Sequence, residues 1–457
     1  MSQDKKKNII KYTYILITLG IAFFSAVVLW YWNISGEWTE GYHGTLTLVA
    51  VGIIYCITYW FFARLYQAQK IGLYRLTELL YFQLLSYGIS DAILYIESVF
   101  WFHGIDKLDI LSYLFTLVMQ LLIILVITFI CNRLFALYDE PVKIMIIYGD
   151  ESYQDFLKKL NQKKYRYNVV TCLSDCASID KIKEEINQCE SIYLYDVNKE
   201  IRRELILYCY SKEKEVYLTQ DIEDLVLRSF DVSHTFDIPF LRTKRVSETW
   251  YYRIVKRAFD IVCSLCALII LSPILLIVAF AIKLYDGGPV FYKQVRLTKN
   301  HREFEIYKFR SMIVNAESQG ARLSSKGDSR ITPVGKFIRM TRIDELPQLF
   351  NILKGDMSIV GPRPERPEIE EEYLKNLPEF SLRLQVPAGL SGYAQVFGKY
   401  NTTPENKLKM DLMYINQRSL LLDLKIILYT IKIIFLPEST EGVDENQITA
   451  EKERVVM

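Results

Sequence analysis

Four long apolar runs dominate the first third of this 457-residue chain and constrain its fold. They cover residues 9–32, 44–65, 79–102 and 108–135. Each reaches the roughly 20 residues that an α-helix needs to cross a bilayer. The first run is too long for the apolar part of a signal peptide and has no small-residue cleavage site. We therefore predict an α-helical bundle of four membrane spans over residues 1–138.

Basic residues around these runs indicate the orientation of the bundle. They lie before the first run, between the second and third, and after the fourth: Lys5, Lys6, Lys7, Lys11, Arg64, Lys70, Arg75, Arg133 and Lys143. The other two connections carry a single lysine. Because positive residues stay in the cytoplasm, we predict that both ends of the bundle and everything after residue 139 are cytoplasmic. Asp91 and Glu97 lie within the third run. We interpret them as facing neighbouring helices or the interface, with a transport path as the alternative.

Residues 139–245 alternate between short apolar segments and helical stretches. The segments KIMIIYGD, YNVVTCL, SIYLYDV and VYLT are predicted strands. This alternation predicts a small α/β, Rossmann-like domain with a doubly wound parallel sheet. A dinucleotide would need a glycine-rich turn after the first strand, whereas Gly149-Asp150-Glu151-Ser152 has one glycine and two acids. We therefore favour a structural or regulatory module over a nucleotide site.

A fifth apolar run, residues 258–285, is also long enough to cross a membrane. Basic residues flank it on both sides: Arg253, Lys256, Arg257, Lys283, Lys293 and Arg296. This pattern disfavours translocation of either side. Pro273 removes a helical donor near the centre, and Ser272 can help to satisfy the carbonyl that is freed. We predict a re-entrant helix kinked at Ser272-Pro273, with Lys256 and Arg257 attracting anionic lipid headgroups. A fifth spanning helix is the alternative.

The segment 339–364, RMTRIDELPQLFNILKGDMSIVGPRP, places two adjacent carboxylates, Asp344 and Glu345, among several arginines. Such a set suits chemistry on a charged phosphate, since it offers a nucleophile or metal ligand beside groups that hold the anion. We predict a helix that opens at Thr332-Pro333 and carries both acids on its later turns. Residues 294–312 alternate like a half-buried strand hairpin, and Lys399 lies on a glycine-punctuated loop.

The motifs KRAFDI, Ser-Pro, KFRSM, IDELPQL, GDMSIVGPRP and LDLKI follow one another between residues 247 and 436. This order resembles the bacterial sugar transferases known as monotopic phosphoglycosyl transferases. The preceding helices and Rossmann-like module resemble the long form of that family. The resemblance implies an α+β catalytic domain over residues 246–436 at the bacterial inner membrane. It also implies transfer of a sugar 1-phosphate from a UDP-sugar to undecaprenyl phosphate, with Mg²⁺ required, as the first step of exopolysaccharide, capsule or glycan assembly.

The same resemblance assigns roles to particular residues. Asp344 would be the nucleophile that forms a phosphosugar ester and releases UMP, and Glu345 its helper. Both would contact Mg²⁺. The implied substrate-binding residues are Lys308, Arg310, Arg339, Pro362, Arg363, Pro364 and Lys399. Arg342 is left out of this set. Lys399 stands where many relatives carry arginine, and Phe397 where asparagine is common, so the resemblance does not carry the matching phosphate contact over to this chain.

Other features narrow the possible functions. The net charge of +2 argues against a nucleic-acid binder. Cys263 and Cys266 form a CxxC on an apolar stretch without a second pair at zinc spacing, so we interpret them as packing residues. We expect a homodimer in contact with membrane lipids, and a mobile tail over residues 437–457. The alternatives are an enzyme with its site between membrane helices, and a membrane scaffold or lipid-linked sugar transporter.

Overall fold

The computed structural model describes residues 3–34, 45–101, 110–138, 141–150, 152–161, 166–235, 238–242, 250–314, 330–398 and 402–434. Lys399, Glu151 and the predicted tail lie outside these ranges. The chain divides into two compact units, residues 1–219 and 220–457.

The first unit begins with four apolar helices, as predicted. They are α1 (Gln3–Ile34), α2 (Thr45–Leu65), α3 (Leu76–Trp101) and α4 (Ile110–Ala136). Each contains a stretch long and apolar enough to cross a membrane. Many of their large apolar side chains point outward, among them Leu16, Phe24, Leu46 and Phe115. An apolar exterior of this size is typical of helices that contact lipid, so the chain is a membrane-associated protein.

One polar side chain from each helix meets inside the bundle. Tyr55 on α2 donates its hydroxyl hydrogen to Asp91 on α3, which is 5% exposed. The Gln120 amide on α4 donates to Ser25 Oγ on α1 at 2.8 Å and lies 3.3 Å from Tyr55 Oη. Polar groups in an apolar bundle must be satisfied by one another, so this cluster fixes how the helices meet. Asp91 therefore faces its neighbouring helices, the arrangement that the sequence interpretation favours.

Replacing Asp91 tests this structural role. Asp91→Leu leaves the Tyr55 hydroxyl without its carboxylate acceptor, and we expect it to destabilise the bundle by about 1 to 2 kcal/mol. Asp91→Asn keeps an acceptor and is expected to stay near the wild-type stability. The measurement is unfolding of the detergent-solubilised protein, with Ala92→Leu on the exposed face of α3 as the control. Equal stability of Asp91→Leu and wild type would show that the cluster does not hold the helices.

A four-stranded parallel sheet follows the bundle and confirms the predicted α/β region. Its strands are β1 (Val142–Tyr148), β2 (Tyr167–Ser174), β3 (Ser191–Tyr195) and β4 (Glu215–Leu218). The helices between them are α5 (Tyr153–Asn161), α6 (Ile179–Gln188) and α7 (Lys199–Ser211). The strand order is β2-β1-β3-β4, and all neighbours are parallel. Alternate residues of β1 pack on opposite faces of the sheet, Met145 against Ile182 and Ile186, and Ile144 against Leu160. Strands buried on both faces read as continuous apolar runs, which is why the sequence pattern predicted them.

The turn after β1 is filled by the protein's own groups. A side chain on Gly149 would collide with the backbone oxygen of Asp196, and the Asp175 carboxylate lies close by. Asp175 Oδ2 accepts a hydrogen bond from the Asn198 amide at 3.1 Å. A parallel sheet binds phosphate at this edge only where the turn offers free N–H groups and little negative charge. The packing therefore supports a structural or regulatory module, which stays a prediction.

The second unit has the mixed α and β content that we predict for the catalytic domain. It begins with α8 (Ile222–Leu227), the hairpin β5 (Asp231–Thr235) and β6 (Ile238–Arg242), and the long helix α9 (Trp250–Asp286). The hairpin β7 (Phe291–Thr298) and β8 (Arg302–Phe309) follows, and then α10 (Pro333–Met340), α11 (Gln348–Lys354), β9 (Met357–Val360) and α12 (Pro367–Asn376). The last elements are β10 (Ala388–Ser391), α13 (Tyr393–Phe397), α14 (Pro404–Gln417) and α15 (Leu420–Ile434). Strands β9 and β10 pair in parallel.

A large apolar core of this unit lies between α14, α15 and the segments around β9. Its buried members include Val360, Phe380, Leu408, Leu412 and Ile426. Leu225 of α8 packs into the same core, and the Asn416 amide donates to the Leu225 backbone oxygen at 2.9 Å. Helix α8, which the sequence grouped with residues 139–245, thus packs with the second unit.

Helix α9 is a continuous helix of 37 residues with Pro273 inside it. Ser272 Oγ donates to the backbone oxygen of Ile269 at 2.8 Å. This is the carbonyl that loses its helical donor because Pro273 has no N–H, so the hydroxyl compensates for the proline as we predict. The helix is also long and apolar enough to cross a membrane.

Both halves of α9 contact the rest of the second unit. Near its start, Arg257 donates to the backbone oxygens of Ile352 and Leu353, and Lys256 Nζ lies 2.8 Å from Asp423 Oδ2. Near its end, Val278 and Ile282 belong to one apolar cluster with residues of β8 and α10. Lys256 and Arg257, for which the sequence suggested lipid headgroups as partners, bind partners within the protein. Lys256 neutralises buried carboxylates and Arg257 satisfies free carbonyls at the end of α11.

Candidate active site

Asp344 and Glu345 lie on a short 3-10 turn between two helices. Thr332 caps the start of helix α10, and its Oγ1 accepts from the Gly335 backbone amide at 2.9 Å. The helix ends at Met340, and Arg342 adopts the left-handed conformation with φ 55° and ψ 19°. The prediction that one helix carries both acids on its later turns was therefore wrong. A left-handed residue ends a helix, and an unbroken helix would also lose a hydrogen bond at Pro347, which has no N–H.

Glu345 is the centre of a small ion cluster. Its Oε1 atom accepts from Lys308 Nζ at 2.9 Å and from Arg363 Nη2 at 2.8 Å, while Oε2 lies 3.8 Å from Arg342 Nη1. Burial by itself raises the pKa of Glu345, but Arg363, Lys308 and Arg342 outweigh that effect and hold the pKa well below its usual range. Glu345 is therefore ionised. It joins β8, the 3-10 turn and the loop after β9.

Asp344, which precedes Glu345 in the same turn, has a different environment. It is half-buried, and within the described residues its side chain makes no hydrogen bond or ion pair. Burial and then the neighbouring Glu345 charge raise the pKa of Asp344 to about 6, against the opposing effects of Lys308, Arg339 and Arg363. At neutral pH this carboxylate is mostly ionised. Its oxygens remain available to a substrate or a metal ion.

The loop that carries Arg363 is held by close backbone contacts. The Gly361 amide donates to the Ser391 oxygen at 2.9 Å, and the Gly389 amide donates to the Pro362 oxygen at 2.8 Å. A side chain on Gly361 would collide with the Pro387 oxygen, so only glycine permits this approach. Pro362 and Pro364 are buried and shape the loop. Within the GPRP motif, Arg363 supplies the side chain that binds Glu345, and the neighbouring residues shape the loop.

The remaining predicted residues differ in their positions. Lys308 joins the Glu345 cluster, and burial lowers its pKa while Glu345 opposes that shift. Arg339 is half-buried and acts on Asp344 through its charge. Arg310 is 8% exposed, packs against Gly288 and forms an ion pair with Asp286. It therefore does not join the ion cluster around Glu345. Arg342, which the sequence reasoning left out, lies beside Glu345.

A second set of charged residues behind the Arg363 loop was missed from the sequence. Its members are Arg296, Glu365, Arg383, Lys407 and Asp411. They come from separate segments between positions 296 and 411, and no spacing rule links them. The one local signal was Glu365, the acid that directly follows the GPRP motif.

The donor set at Asp344 and Glu345 fits a hard divalent cation. Among the described residues no group of three or more His, Cys, Asp or Glu side chains could hold a metal ion. The protein therefore offers two carboxylates at this position, and one of the Glu345 oxygens already accepts from two cations. Mg²⁺ is commonly held by one or two carboxylates together with substrate phosphates and water. The residues present suit an ion that arrives with a phosphate substrate.

Comparison with known proteins gives a consistent family assignment. The sequence profile of the bacterial sugar transferase family matches residues 251–437, which include every site residue named above. The UDP-N-acetylgalactosamine-undecaprenyl-phosphate N-acetylgalactosaminephosphotransferase of Aeromonas hydrophila is 45% identical over 186 residues, 40% of this chain and 44% of that protein. The UDP-glucose:undecaprenyl-phosphate glucose-1-phosphate transferase of Klebsiella pneumoniae is 41% identical over 191 residues, 41% of each chain.

Shorter relatives match over nearly their whole length. The uncharacterized sugar transferase EpsL of Bacillus subtilis (strain 168) is 38% identical over 201 residues, 44% of this chain and 95% of that protein. In contrast, the chain matches less than half of the length of the first two relatives. The residues that match the family profile lie within the second unit.

Proposed function

The chain belongs to the bacterial sugar transferase family, and we propose that it transfers a sugar 1-phosphate from a UDP-sugar to undecaprenyl phosphate with release of UMP. The names of the relatives above describe this reaction for those proteins. The product would be a polyprenyl diphosphate sugar, on which an exopolysaccharide, capsule or other glycan is built. The names of these relatives specify different sugars, N-acetylgalactosamine and glucose. We therefore propose the type of reaction and do not assign the sugar.

The proposed mechanism has two displacements at one phosphorus atom. A carboxylate oxygen of Asp344 attacks the phosphorus that bears the sugar, the bond to the uridine-bearing phosphate breaks, and UMP leaves. An oxygen of the polyprenyl phosphate then attacks the same phosphorus. The bond to Asp344 breaks and the carboxylate is restored. Dividing one difficult displacement into two steps predicts ping-pong kinetics.

The difference between the two acids is the observation that carries this proposal. Glu345 accepts hydrogen bonds from Lys308 and Arg363, so its carboxylate is poorly placed to act as the nucleophile. Asp344 is ionised at neutral pH and has no such partner among the described residues. Arg363 and Lys308 stand beside it and can hold the oxygens of a diphosphate, Arg363 as a two-pronged donor and Lys308 as a point charge. Arg339 adds a third positive charge nearby.

We propose Mg²⁺ as the cofactor, held by Asp344 and Glu345 together with the diphosphate. The ion would offset negative charge on the diphosphate and on the departing UMP. The protein's contribution is the pair of hard oxygen donors on one turn. Lys308, Arg339 and Arg363 hold the remaining phosphate oxygens.

We further propose that α9 enters the membrane and returns to the cytoplasmic face. Arg257, near the start of the helix, and Ile282, near its end, both contact the same unit that carries Asp344. A helix that crossed the bilayer would separate these contacts by the thickness of the membrane. The basic residues on both sides of the run support the same topology. Such a helix would hold Asp344 at the level of the acceptor's phosphate. A homodimer remains a prediction.

Release of UMP tests the reaction. Membranes or detergent-solubilised protein with a UDP-sugar, Mg²⁺ and undecaprenyl phosphate should release UMP, and a panel of UDP-sugars should identify the donor. Asp91→Asn should leave this activity unchanged. A transporter or scaffold would be favoured if no UDP-sugar gave UMP release. The same conclusion would follow if Asp91→Asn lost the protein's activity while Asp344→Asn kept it.

The pH dependence of the first half-reaction follows from the state of Asp344. Burial and the neighbouring Glu345 charge raise the pKa of Asp344, so the nucleophile is protonated at acid pH and the rate should fall there. Glu345→Gln removes a like charge that contributes to the raised pKa, so we expect the acid limb to move to lower pH even though the rate declines. The measurement is UMP release without acceptor at low UDP-sugar, which avoids titration of the acceptor phosphate. An acid limb that stays fixed or moves upward would contradict the assignment of Asp344.

A further inference from the structure

A fully buried arginine supports the backbone of the Arg363 loop. Arg383 is 1% exposed, and its Nη2 atom donates to the Arg363 backbone oxygen at 2.8 Å. The same nitrogen lies 2.8 Å from Asp411 Oδ2, on α14, which is equally buried. One guanidinium thus connects the backbone of the loop to a helix that comes later in the chain.

The next residues of the loop are held in the same way. Glu365 Oε1 lies 3.5 Å from Arg383 Nη1 and pairs with Lys407, also on α14. Burial by itself raises the pKa of Glu365, but Lys407 and Arg383 outweigh it and hold the pKa at about 2. Arg296 Nη1 donates to the Pro364 backbone oxygen at 3.4 Å. Two successive carbonyls of the loop therefore accept from arginines that lie elsewhere in the sequence.

We propose that Arg383, held by Asp411, is a positioning residue that fixes Arg363 against Glu345 for the diphosphate of the sugar donor. This inference rests on the proposed function. A buried ion pair contributes little net stability, since well-packed apolar residues of similar size often serve as well. The particular effect of this pair is the hydrogen bond to the Arg363 carbonyl. A phosphate-binding group must be held to within a fraction of an ångström, and a shift of 1 Å can lower a rate by about 10²-fold.

The test is the double variant Arg383→Met/Asp411→Leu. It removes both charges together, which avoids an isolated buried ion, and it deletes the donor to the Arg363 carbonyl. We expect kcat/KM for the UDP-sugar in UMP release to fall by about 10- to 100-fold, mainly through KM, with little change in Tm. The matched control is Arg302→Met/Asp356→Leu, a second arginine–aspartate pair (3.2 Å) whose arginine also donates to a loop carbonyl, that of Gly355. We expect the control to keep wild-type kinetics.

A double-mutant cycle with Arg363→Ala decides whether Arg383 acts through Arg363. If it does, adding Arg383→Met/Asp411→Leu to Arg363→Ala lowers kcat/KM by less than twofold further. An equal, additive loss in both backgrounds, or no loss in the wild-type background, would overturn the proposal. If the double variant does not fold, Arg383→Lys, which keeps the charge opposite Asp411, takes its place in the same cycle under the same criterion. Absence of UMP release from the wild type would instead count against the proposed function.

Discussion

Asp344→Asn is expected to lower UMP release by at least about 10³-fold, the largest effect of any single substitution in this chain. Removing a covalent nucleophile leaves only binding and electrostatic stabilisation, and such substitutions cost several orders of magnitude in other enzymes. The amide is nearly the same size as the carboxylate, so Lys308, Arg363 and Glu345 should keep their contacts. The measurement is UMP release under saturating UDP-sugar, Mg²⁺ and undecaprenyl phosphate.

A matched control separates chemistry from folding. Asp356→Asn changes another aspartate of the same unit, one that pairs with the exposed Arg302, and we expect it to keep wild-type activity. Asp344→Asn itself should unfold at the wild-type temperature or above it, since it removes a half-buried carboxylate whose ionisation is disfavoured. An Asp344→Asn protein with full UMP release would remove Asp344 from the mechanism.

Arg363→Ala is expected to have the second largest effect, a fall of about 10²- to 10³-fold in kcat/KM for the UDP-sugar. The substitution removes a group that holds charge on the transferred phosphate, and such donors are commonly worth this much. It also leaves Glu345 with Lys308 as its main partner. Arg363→Lys restores the charge but not the two-pronged geometry, so it should recover only part of the loss.

The control for this substitution is Arg302→Ala. Arg302 belongs to the same unit, is 57% exposed and pairs with Asp356, so its removal should leave the kinetics unchanged. If Arg363→Ala affects only the step with undecaprenyl phosphate, and UMP release without acceptor stays normal, Arg363 holds the acceptor instead of the donor.

The sequence allowed the prediction of features that rest on local patterns. Apolar runs of sufficient length predicted helices α1 to α4, and the alternation of apolar strands with helices predicted the parallel sheet. The pairing of Ser272 with the carbonyl freed by Pro273 also followed from local chemistry, because a proline always affects the residue four positions before it. These features depend on neighbours within a few residues.

Features that depend on tertiary contacts were not predictable. The helix that was expected to carry Asp344 ends early because Arg342 turns the chain in the left-handed conformation. Nothing in the residue type distinguishes Arg363, which meets Glu345, from Arg310, which pairs with Asp286. The partnership of Arg383 with Asp411 joins positions 28 residues apart, and only packing brings them together.

These tertiary contacts also give the two adjacent acids, Asp344 and Glu345, different ionisation behaviour. By residue type and spacing, Asp344 and Glu345 are equivalent carboxylates on one motif, and it was the family resemblance that assigned them different roles. In the fold, Glu345 anchors Lys308 and Arg363 and has a pKa well below the usual range, whereas Asp344 has a pKa raised to about 6. Environments that push two neighbouring pKa values apart are typical of sites in which the two groups have different roles.

Trapping the covalent intermediate tests the central claim most directly. The wild-type protein is mixed with UDP-sugar labelled in the sugar-bearing phosphate, with Mg²⁺ and without undecaprenyl phosphate, and the reaction is stopped by rapid quench. We predict one equivalent of label per active site, UMP release that matches it, and a labelled peptide containing Asp344, with none in Asp344→Asn. Adding undecaprenyl phosphate should transfer the label to the lipid. Wild-type protein that stays unlabelled, and that releases UMP only when the acceptor is present, would contradict the covalent mechanism.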